Sequence, residues 1–549
     1  MPKTASNSEN DMYSSAMFRI SLKMLILALP LSVGTGLAQE KAPAVSQVPE
    51  VTEVTPKDAP GFELQQKTPE SPPRPDDSDL KRDKKLEPNP IDAAGPNAAA
   101  AKAGLTPANV LSWETGAGKS YLIPALEVPG FLGLLHIYDR IAYHDQTEDG
   151  EKVYSSSFSS IWEHVREQHW VFDKDPFNVN QFGHPYQGAT MFGLARSSGL
   201  NFWESLAYSN AGSFAWEMAG ETGDPSINDL ITTGNAGSLL GEALFRMSQL
   251  VLQDPRPRTG NWREIGAAII SPPTALNRYA FGDRFKTIYP TYDPATFWRF
   301  RLGVNLDQSD GTEAILDFGM SYGLPGKPGY TYKRPLDYFD FQISGLGDRE
   351  NPLENVMLRG LLYGKQYEAG NDYRGIWGLY GSYDYISPAI FRVSSTALTL
   401  GSTGQYWVAP GIALQGSLLG GVGFGAAGVT EADGLRDYHY GATPQGLLTL
   451  RLLFGDRTML EMAGRGYYVS GTGSDDERGS ERIVRASSNL NVRVHGRHGI
   501  GVQYVKSIRD ARYGNAPGRH QSDSAVSLVY TFLGDTHFGA VEWREPEER

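Results

Sequence analysis

Beyond Trp298 the chain alternates apolar and polar positions with a period of two, whereas the apolar spacing before it is helical. Trp298, Phe300, Leu302 and Val304 alternate with Arg299, Arg301, Gly303 and Asn305, and Leu490, Val492 and Val494 alternate with Asn491, Arg493 and His495. Leu448, Leu450, Leu452 and Phe454 repeat the pattern. Such alternation predicts strands with one apolar and one polar face. Turn-rich clusters at 324–328, 471–480 and 514–518 separate the segments, and Tyr330, Tyr332, Tyr338, Tyr363, Tyr438, Tyr440, Tyr467 and Tyr468 gather near segment ends. Segments of about ten residues with apolar faces and terminal aromatics predict a membrane barrel. A water-soluble antiparallel sheet with its apolar face on a protein core is the competing reading. Dividing the roughly 235 residues after Trp298 by about 20 per strand and turn gives about twelve strands. The last segment, Val526, Leu528, Tyr530 and Phe532, ends on an aromatic as closing strands of outer-membrane proteins do, although a polar tail at 534–549 follows it.

Ahead of the barrel region, residues 180–254 read as one short and two longer helices, punctuated by Pro185, the Ser198-Gly199 pair and the turn at 222–225. The third helix, 226–252, opens on Ser226 as N-cap with Asp229 three residues on, a variant of the capping box whose carboxylate also suits the positive helix end. Gly234, Gly237, Ser238 and Gly241 form small-xxx-small steps on this helix that admit a closely packed partner, for which the neighbouring helix at 202–221 is expected. Its 27 residues correspond to about 40 Å of helix, comparable with a bilayer. Asn228, Asp229, Asn235, Glu242 and Arg246 make it too polar to face lipid. The expectation is therefore a compact unit outside the hydrocarbon or within a polar lumen, at or in the periplasmic mouth, touching the barrel through Leu239, Leu240 and Phe245.

The words YLIPALEVPGF, DPFNVNQFGHPYQG, GLNFWES, WEMAGE and PSINDLITTGNAGSLLGEALFR, spread over 121–252, resemble a family of Gram-negative envelope proteins catalogued as DUF3943. The resemblance implies an envelope compartment and an architecture, and it carries no established reaction.

Composition narrows the function classes. A formal charge of -13 and pI near 5.4, with no basic stripe, exclude nucleic acid as a partner. Zero cysteines exclude disulfides, thiolate metal sites, a cysteine nucleophile and acylation on cysteine. Residues 1–38 carry an export signal, with Arg19 and Lys23 before the apolar run and Gly36-Leu37-Ala38 as the cleavage site. Residues 39–118, rich in Pro, Ala and charge, cannot bury enough surface to offset ordering and read as a linker. The expected organisation is α+β: a helical module at 119–290 and an antiparallel, about twelve-stranded outer-membrane-type barrel at 291–533. Outer-membrane lipid and the barrel-insertion machinery are the expected partners, and no cofactor is implied.

Candidate chemistry is concentrated in the helical module. His184, Glu217, Glu221 and Asp229 supply one imidazole and three carboxylates, a set that suits a divalent metal or acid–base work if burial raises a carboxylate pKa. The same residues read more readily as a structural hydrogen-bond network, with Asp229 capping and Glu217 reaching Tyr208 or Thr232. No GxSxG is present, and the glycines at 420, 421, 423 and 425 suit bends in a β-region better than a phosphate loop. The two functional readings are a structural or transport-type outer-membrane barrel and an envelope lipid- or glycan-modifying enzyme.

Overall fold

The computed structural model describes residues 118–545, excluding 145–146, 149–150, 168, 174, 254–260, 282–287, 290, 308–310, 348–351, 389, 430–437, 472–478 and 514–516. The expected signal at 1–38 and, but for its last residue, the linker at 39–118 lie outside the described residues.

Helices come first. They are α1 (Leu122–Ala142), α2 (Phe158–Glu167), α3 (His184–Ser197), α4 (Phe202–Ala219), α5 (Ile227–Ile231), α6 (Gly237–Gln253), α7 (Trp262–Ile270) and α8 (Pro272–Ala280). A π-helical turn, Val179–Gly183, leads into α3, and a second, Thr232–Ala236, joins α5 to α6. Pro185 stands in the first turn of α3, where its missing N–H is harmless. Asn201 and Glu204 form a reciprocal capping box that starts α4.

Twelve strands follow: β1 (Thr296–Asp307), β2 (Gly311–Tyr322), β3 (Phe339–Leu346), β4 (Leu353–Ala369), β5 (Tyr373–Ile386), β6 (Arg392–Ala409), β7 (Ile412–Gly428), β8 (Tyr438–Phe454), β9 (Thr458–Ser470), β10 (Gly479–His495), β11 (His498–Tyr513) and β12 (Arg519–Leu533). Each pairs antiparallel with its sequence neighbours, and β12 closes on β1 with Phe532 opposite Phe300. This is the up-and-down closure that leaves no free sheet edge.

Contacts across the lumen identify the inward face. Arg301 on β1 bonds Glu461 on β9 and Asn489 on β10, neither strand being a neighbour of β1. Arg299, Arg301 and Asn305 therefore point inward, and Phe300, Leu302 and Val304 outward. Leu302 is 52% exposed and Leu528 on β12 is 58% exposed, members of an apolar outer belt that continues through Ile500, Leu490 and Leu448. The outward row behaves differently elsewhere. Following the register from Phe318 through Ile343, Val356, Tyr385, Ser394 and Ala426 to Tyr440, the same outward parity holds on β2 to β8, yet none of these residues is more than 2% exposed.

The helical module covers them. Phe177 packs on Tyr385 and Tyr438, Phe172 on Phe424 and Tyr440, and Leu239 stands over Gly381. The helices thus lie against the outer wall of the barrel, which corrects the expected position at its mouth or in its lumen. Where the helices cover them, the outward positions of these strands are apolar for protein contact, while Trp377, Leu398, Leu400, Leu418 and Leu448 on β5 to β8 stay exposed as part of the outer belt. Leu239 and Leu240 join this core as expected, but Phe245 packs edge-on against Tyr289 instead.

The glycine contacts also differ from expectation. A Cβ on Gly237 would stand 2.7 Å from the Cα of Gly188, and one on Gly241 would meet Phe192 at 2.8 Å. Both partners belong to α3. Only Gly234 faces α4, through Asn210, and Ser238 turns its hydroxyl back to donate to the Gly234 carbonyl at 2.6 Å. Gly188 is itself bare, so glycine faces glycine where α3 crosses α6 and the two backbones approach closely.

Candidate functional site

The sequence-derived residues meet where the start of α5 abuts the end of α4. Backbone bonds from Val171 to Pro225 and from Ile227 to Val171 draw the segment 171–173 against this corner. They bring in Asp173, which the helical pattern gave no means of finding. Ser226 Oγ accepts from the Asp229 amide at 3.2 Å, while Ser226 N donates to Glu217 Oε2 at 2.7 Å. Glu217 therefore holds the helix start and reaches neither Tyr208 nor Thr232. Asn228 Nδ2 donates to Asp229 Oδ1 and to Asp173 Oδ1, both at 3.0 Å. Trp216 Nε1 donates to Glu221 Oε1 at 3.0 Å. His184 Nε2 lies 3.9 Å from Asp229 Oδ1, beyond hydrogen-bond reach, and among the described residues its Nδ1 meets no partner.

Electrostatics follow from burial. Glu217 is pushed up to about 8, first by desolvation and then by Asp173. Asp229 and Glu221 are raised well above the usual carboxylate range by burial and by the surrounding carboxylates. Burial pushes the His184 imidazole down, so it is neutral at neutral pH. Crowded acids in a dry site keep their protons and act as donors and acceptors in a network. Among the described residues, no three His, Asp or Glu side chains are arranged to hold a metal ion.

This corner is anchored to the barrel. Asn180 Nδ2 donates to the Tyr438 and Tyr440 hydroxyls at 3.0 and 3.2 Å and also bonds Asp173. Tyr383 OH donates to the Gln181 carbonyl at 2.6 Å.

A second buried group is only half visible in the sequence. Arg196 Nε donates to Glu242 Oε2 at 2.7 Å, Arg246 Nε to Glu242 Oε1 at 2.8 Å, and Arg246 Nη1 to Asp337 Oδ1 at 3.0 Å. All four side chains are buried. The i,i+4 spacing of Glu242 and Arg246 signals their pair; nothing local signals Arg196 or Asp337. This ladder of two cations and two anions ties α3 and α6 to the loop between β2 and β3.

Charged side chains pair inside the lumen. Glu461 pairs with Arg299 at 3.0 Å, with Arg451 at 3.5 Å and with Arg301. Arg359 pairs with Asp384 at 2.8 Å and Arg509 with Glu481 at 2.6 Å. A cavity of about 110 Å³ remains among Arg299, Arg301, Asp340, Gln415, Arg451 and Glu461. The segment after β12, expected to be a polar tail, folds into the barrel end. Phe538 is buried beside Phe297 and Leu453, Trp543 packs on Trp407, and Gln405 bonds Val541 through both backbone groups at 2.8 and 2.9 Å.

No curated protein sequence matches the chain. Solved structures similar to it include the NanC porin (6% identity, 42% of this chain and 98% of that one, TM-score 0.25), OmpT, an outer membrane protein of Vibrio cholerae (8%, 44% and 98%, 0.20), and the outer membrane channel DcaP of Acinetobacter baumannii (8%, 43% and 96%, 0.21). The closed twelve-stranded register and the apolar outer face make the barrel one of outer-membrane type. The helices that carry the polar corner give the more specific match, since residues 169–273 fit the family model DUF3943, a domain of unknown function.

Proposed function

We propose that the protein is an outer-membrane β-barrel whose barrel is a structural scaffold rather than a conducting pore, with the helical module held on its membrane-facing wall as the working part. The observation that carries this reading is the Arg–Glu461 cluster that crosses the lumen, together with the 534–545 segment packed into one barrel end. A water-filled channel requires an unfilled polar interior. By strand direction the longer gaps between strands, β3 to β4, β5 to β6, β7 to β8, β9 to β10 and β11 to β12, fall at one end of the barrel, together with the short gap between β1 and β2. At the other end, the 323–338 connection apart, the turns are of two or three residues, at 370–372, 410–411, 455–457 and 496–497. That asymmetry supports an outer membrane location with both ends of the barrel segment on the periplasmic side. An exported precursor delivered to the insertion machinery is consistent with the 1–38 signal.

The test is single-channel recording of the full chain in a planar bilayer. No stepwise conductance is expected; sustained ohmic conductance of the wild type overturns the scaffold reading. A second reading, an enzyme acting on envelope lipid or glycan, is favoured by one observation, the gathering of His184, Glu217, Glu221 and Asp229 at one corner with proton-holding carboxylates. Its test is turnover of labelled envelope lipid by the reconstituted protein; absence of turnover leaves the corner as the lock that seats α5 on α4.

A further inference from the structure

Between α1 and α4 runs a groove of about 410 Å³ lined almost wholly by apolar and small side chains. Val128, Pro129 and Gly133 form one side, and Ala211, Ala215 and Trp216 the other. Small residues facing one another hold the slot open: a Cβ on Gly133 would find no atom within 4 Å. The lining extends on α1 from Pro124 to His136, about 18 Å of helix, against about 15 Å for one leaflet of a bilayer's hydrocarbon core.

The two ends differ chemically. At the α4 N-terminus, Lys119 Nζ and Tyr121 OH both donate to Glu204 Oε1, at 2.8 and 2.5 Å, presenting a cation and an anion side by side. At the far end His136 Nδ1 bonds the Gly220 carbonyl at 2.9 Å and closes the slot. Around the slot the surface is apolar. Leu126, Leu134, Ile137 and Ile141 of α1 and Phe214 of α4 are exposed, on a module that is seated on the barrel's outer wall. No helix among the described residues is long and apolar enough to cross a membrane; exposed apolar side chains gathered in this way suit a surface that lies in lipid without spanning it.

We infer that the α1–α4 groove binds one acyl chain of a glycerophospholipid, with the headgroup at the Lys119–Glu204 end. A chain-length apolar slot, open to an apolar surface, selects an amphiphile over a water-soluble ligand. The adjacent opposite charges match a zwitterionic headgroup. This inference rests on the reading of a membrane-inserted barrel, which the experiment reports separately.

The full chain is reconstituted in phosphatidylethanolamine/phosphatidylglycerol vesicles containing a trace of phosphatidylethanolamine with a diazirine at mid-chain, photolysed, and mapped by peptide mass spectrometry. Adducts on 124–136 and 208–220 are expected to exceed, per residue, those on the belt peptides around Ile500–Tyr504 and Val526–Tyr530. Filling the slot by Gly133→Leu with Ala215→Leu is expected to reduce groove adducts to the belt level and leave belt adducts unchanged. Gly130→Leu, on α1 but outside the lining and with no atom within 4 Å of its Cβ, is expected to keep them. Groove labelling no higher than the belt, labelling that survives in the filled variant, or loss of labelling in Gly130→Leu as well overturns the inference. Groove labelling by a diazirine fatty acid but not by the phospholipid overturns the assigned occupant. Absence of belt labelling overturns the membrane-inserted reading and the inference with it.

Discussion

Replacing Gly188 by Ala is the sharpest probe of how the helical module is held together. A methyl group there would stand 1.8 Å from the Thr233 carbonyl oxygen and 2.7 Å from its carbon, where real Cβ atoms essentially never come within 3.0 Å. The obstruction is backbone inside the Thr232–Ala236 π turn, so no side chain can swing away and α3 must retreat from α5 and α6 by at least 1.2 Å, the difference between 3.0 and 1.8 Å. Two effects compete. Exchanging Gly for Ala in a helix interior ordinarily gains about 0.8–1 kcal/mol, while overpacking a dense interface costs about 1–3 kcal/mol, occasionally more. The retreat also loosens Gly237 and Gly241 on the same interface, so the upper part of that range applies and the expected net loss is about 2 kcal/mol. Hydrogen exchange over 184–253 in detergent reads this as protection reduced about 30-fold, with heat-modifiable gel mobility reporting an intact barrel. Gly130→Ala, which meets no atom within 4 Å, supplies the control, with protection unchanged or raised. If Gly188→Ala matches Gly130→Ala, close backbone packing between α3 and α6 is not what holds the module.

Three further outcomes follow from the described contacts. Glu242→Ala removes the carboxylate that Arg196 and Arg246 share; removal of one member of a buried ion group is expected to cost about 3–5 kcal/mol, measured as increased protease cleavage of the module at fixed barrel mobility, and wild-type resistance would argue against a cohesive ladder. Because the folded pKa of Glu217 is raised to about 8, the folded state binds more protons than the unfolded one between the ordinary carboxylate range and that value. Module stability should therefore be fullest below about pH 4.5 and decline as pH rises toward 8; Glu217→Gln should flatten the profile, and an unchanged slope in the variant would assign the titration elsewhere. Deleting 534–549 removes Phe538, Val541 and Trp543 from the barrel end and should raise ion leakage from reconstituted vesicles without preventing insertion; leakage equal to wild type would mean that the Arg–Glu461 cluster alone seals the lumen.

The strands are legible in the sequence because alternation survives where one face meets lipid and the other a polar lumen, as at Leu302 and Arg301. It fades where helices cover the wall: β2 from Ile315 and most of β3 are buried on both faces or nearly so, and their run of Phe, Met, Ile and Tyr gives no hint of what lies outside. An outward apolar face has the same composition whether it meets acyl chains or another part of the chain, so the position of the module cannot be read in advance. Within the module, Ser226 and Asp229 announce a helix start through local spacing. The partner of Gly237 and Gly241 is not local information, because a small-residue stripe permits close approach without naming who approaches. Asp173 and Asp337 join the buried groups through loops, where no periodicity points at a neighbour. The Asn201–Glu204 capping box, by contrast, is written in the sequence as an N-x-x-E.

The one-sided cover on the barrel gives the molecule a front and a back in the plane of the bilayer. Strands β9 to β12 and β1 offer smooth aliphatic rows such as Ile500, Val502, Val526 and Leu528, while the flank running from β2 towards β8 carries helices edged by Trp203, Trp262 and Tyr279. Rotation about the membrane normal therefore changes what a neighbour meets. In a crowded two-dimensional array, adjacent copies or other barrels encounter a bare flank and a clad one with different shapes and different mobile lipid between them, so lateral encounters are orientation-dependent even without any dedicated contact.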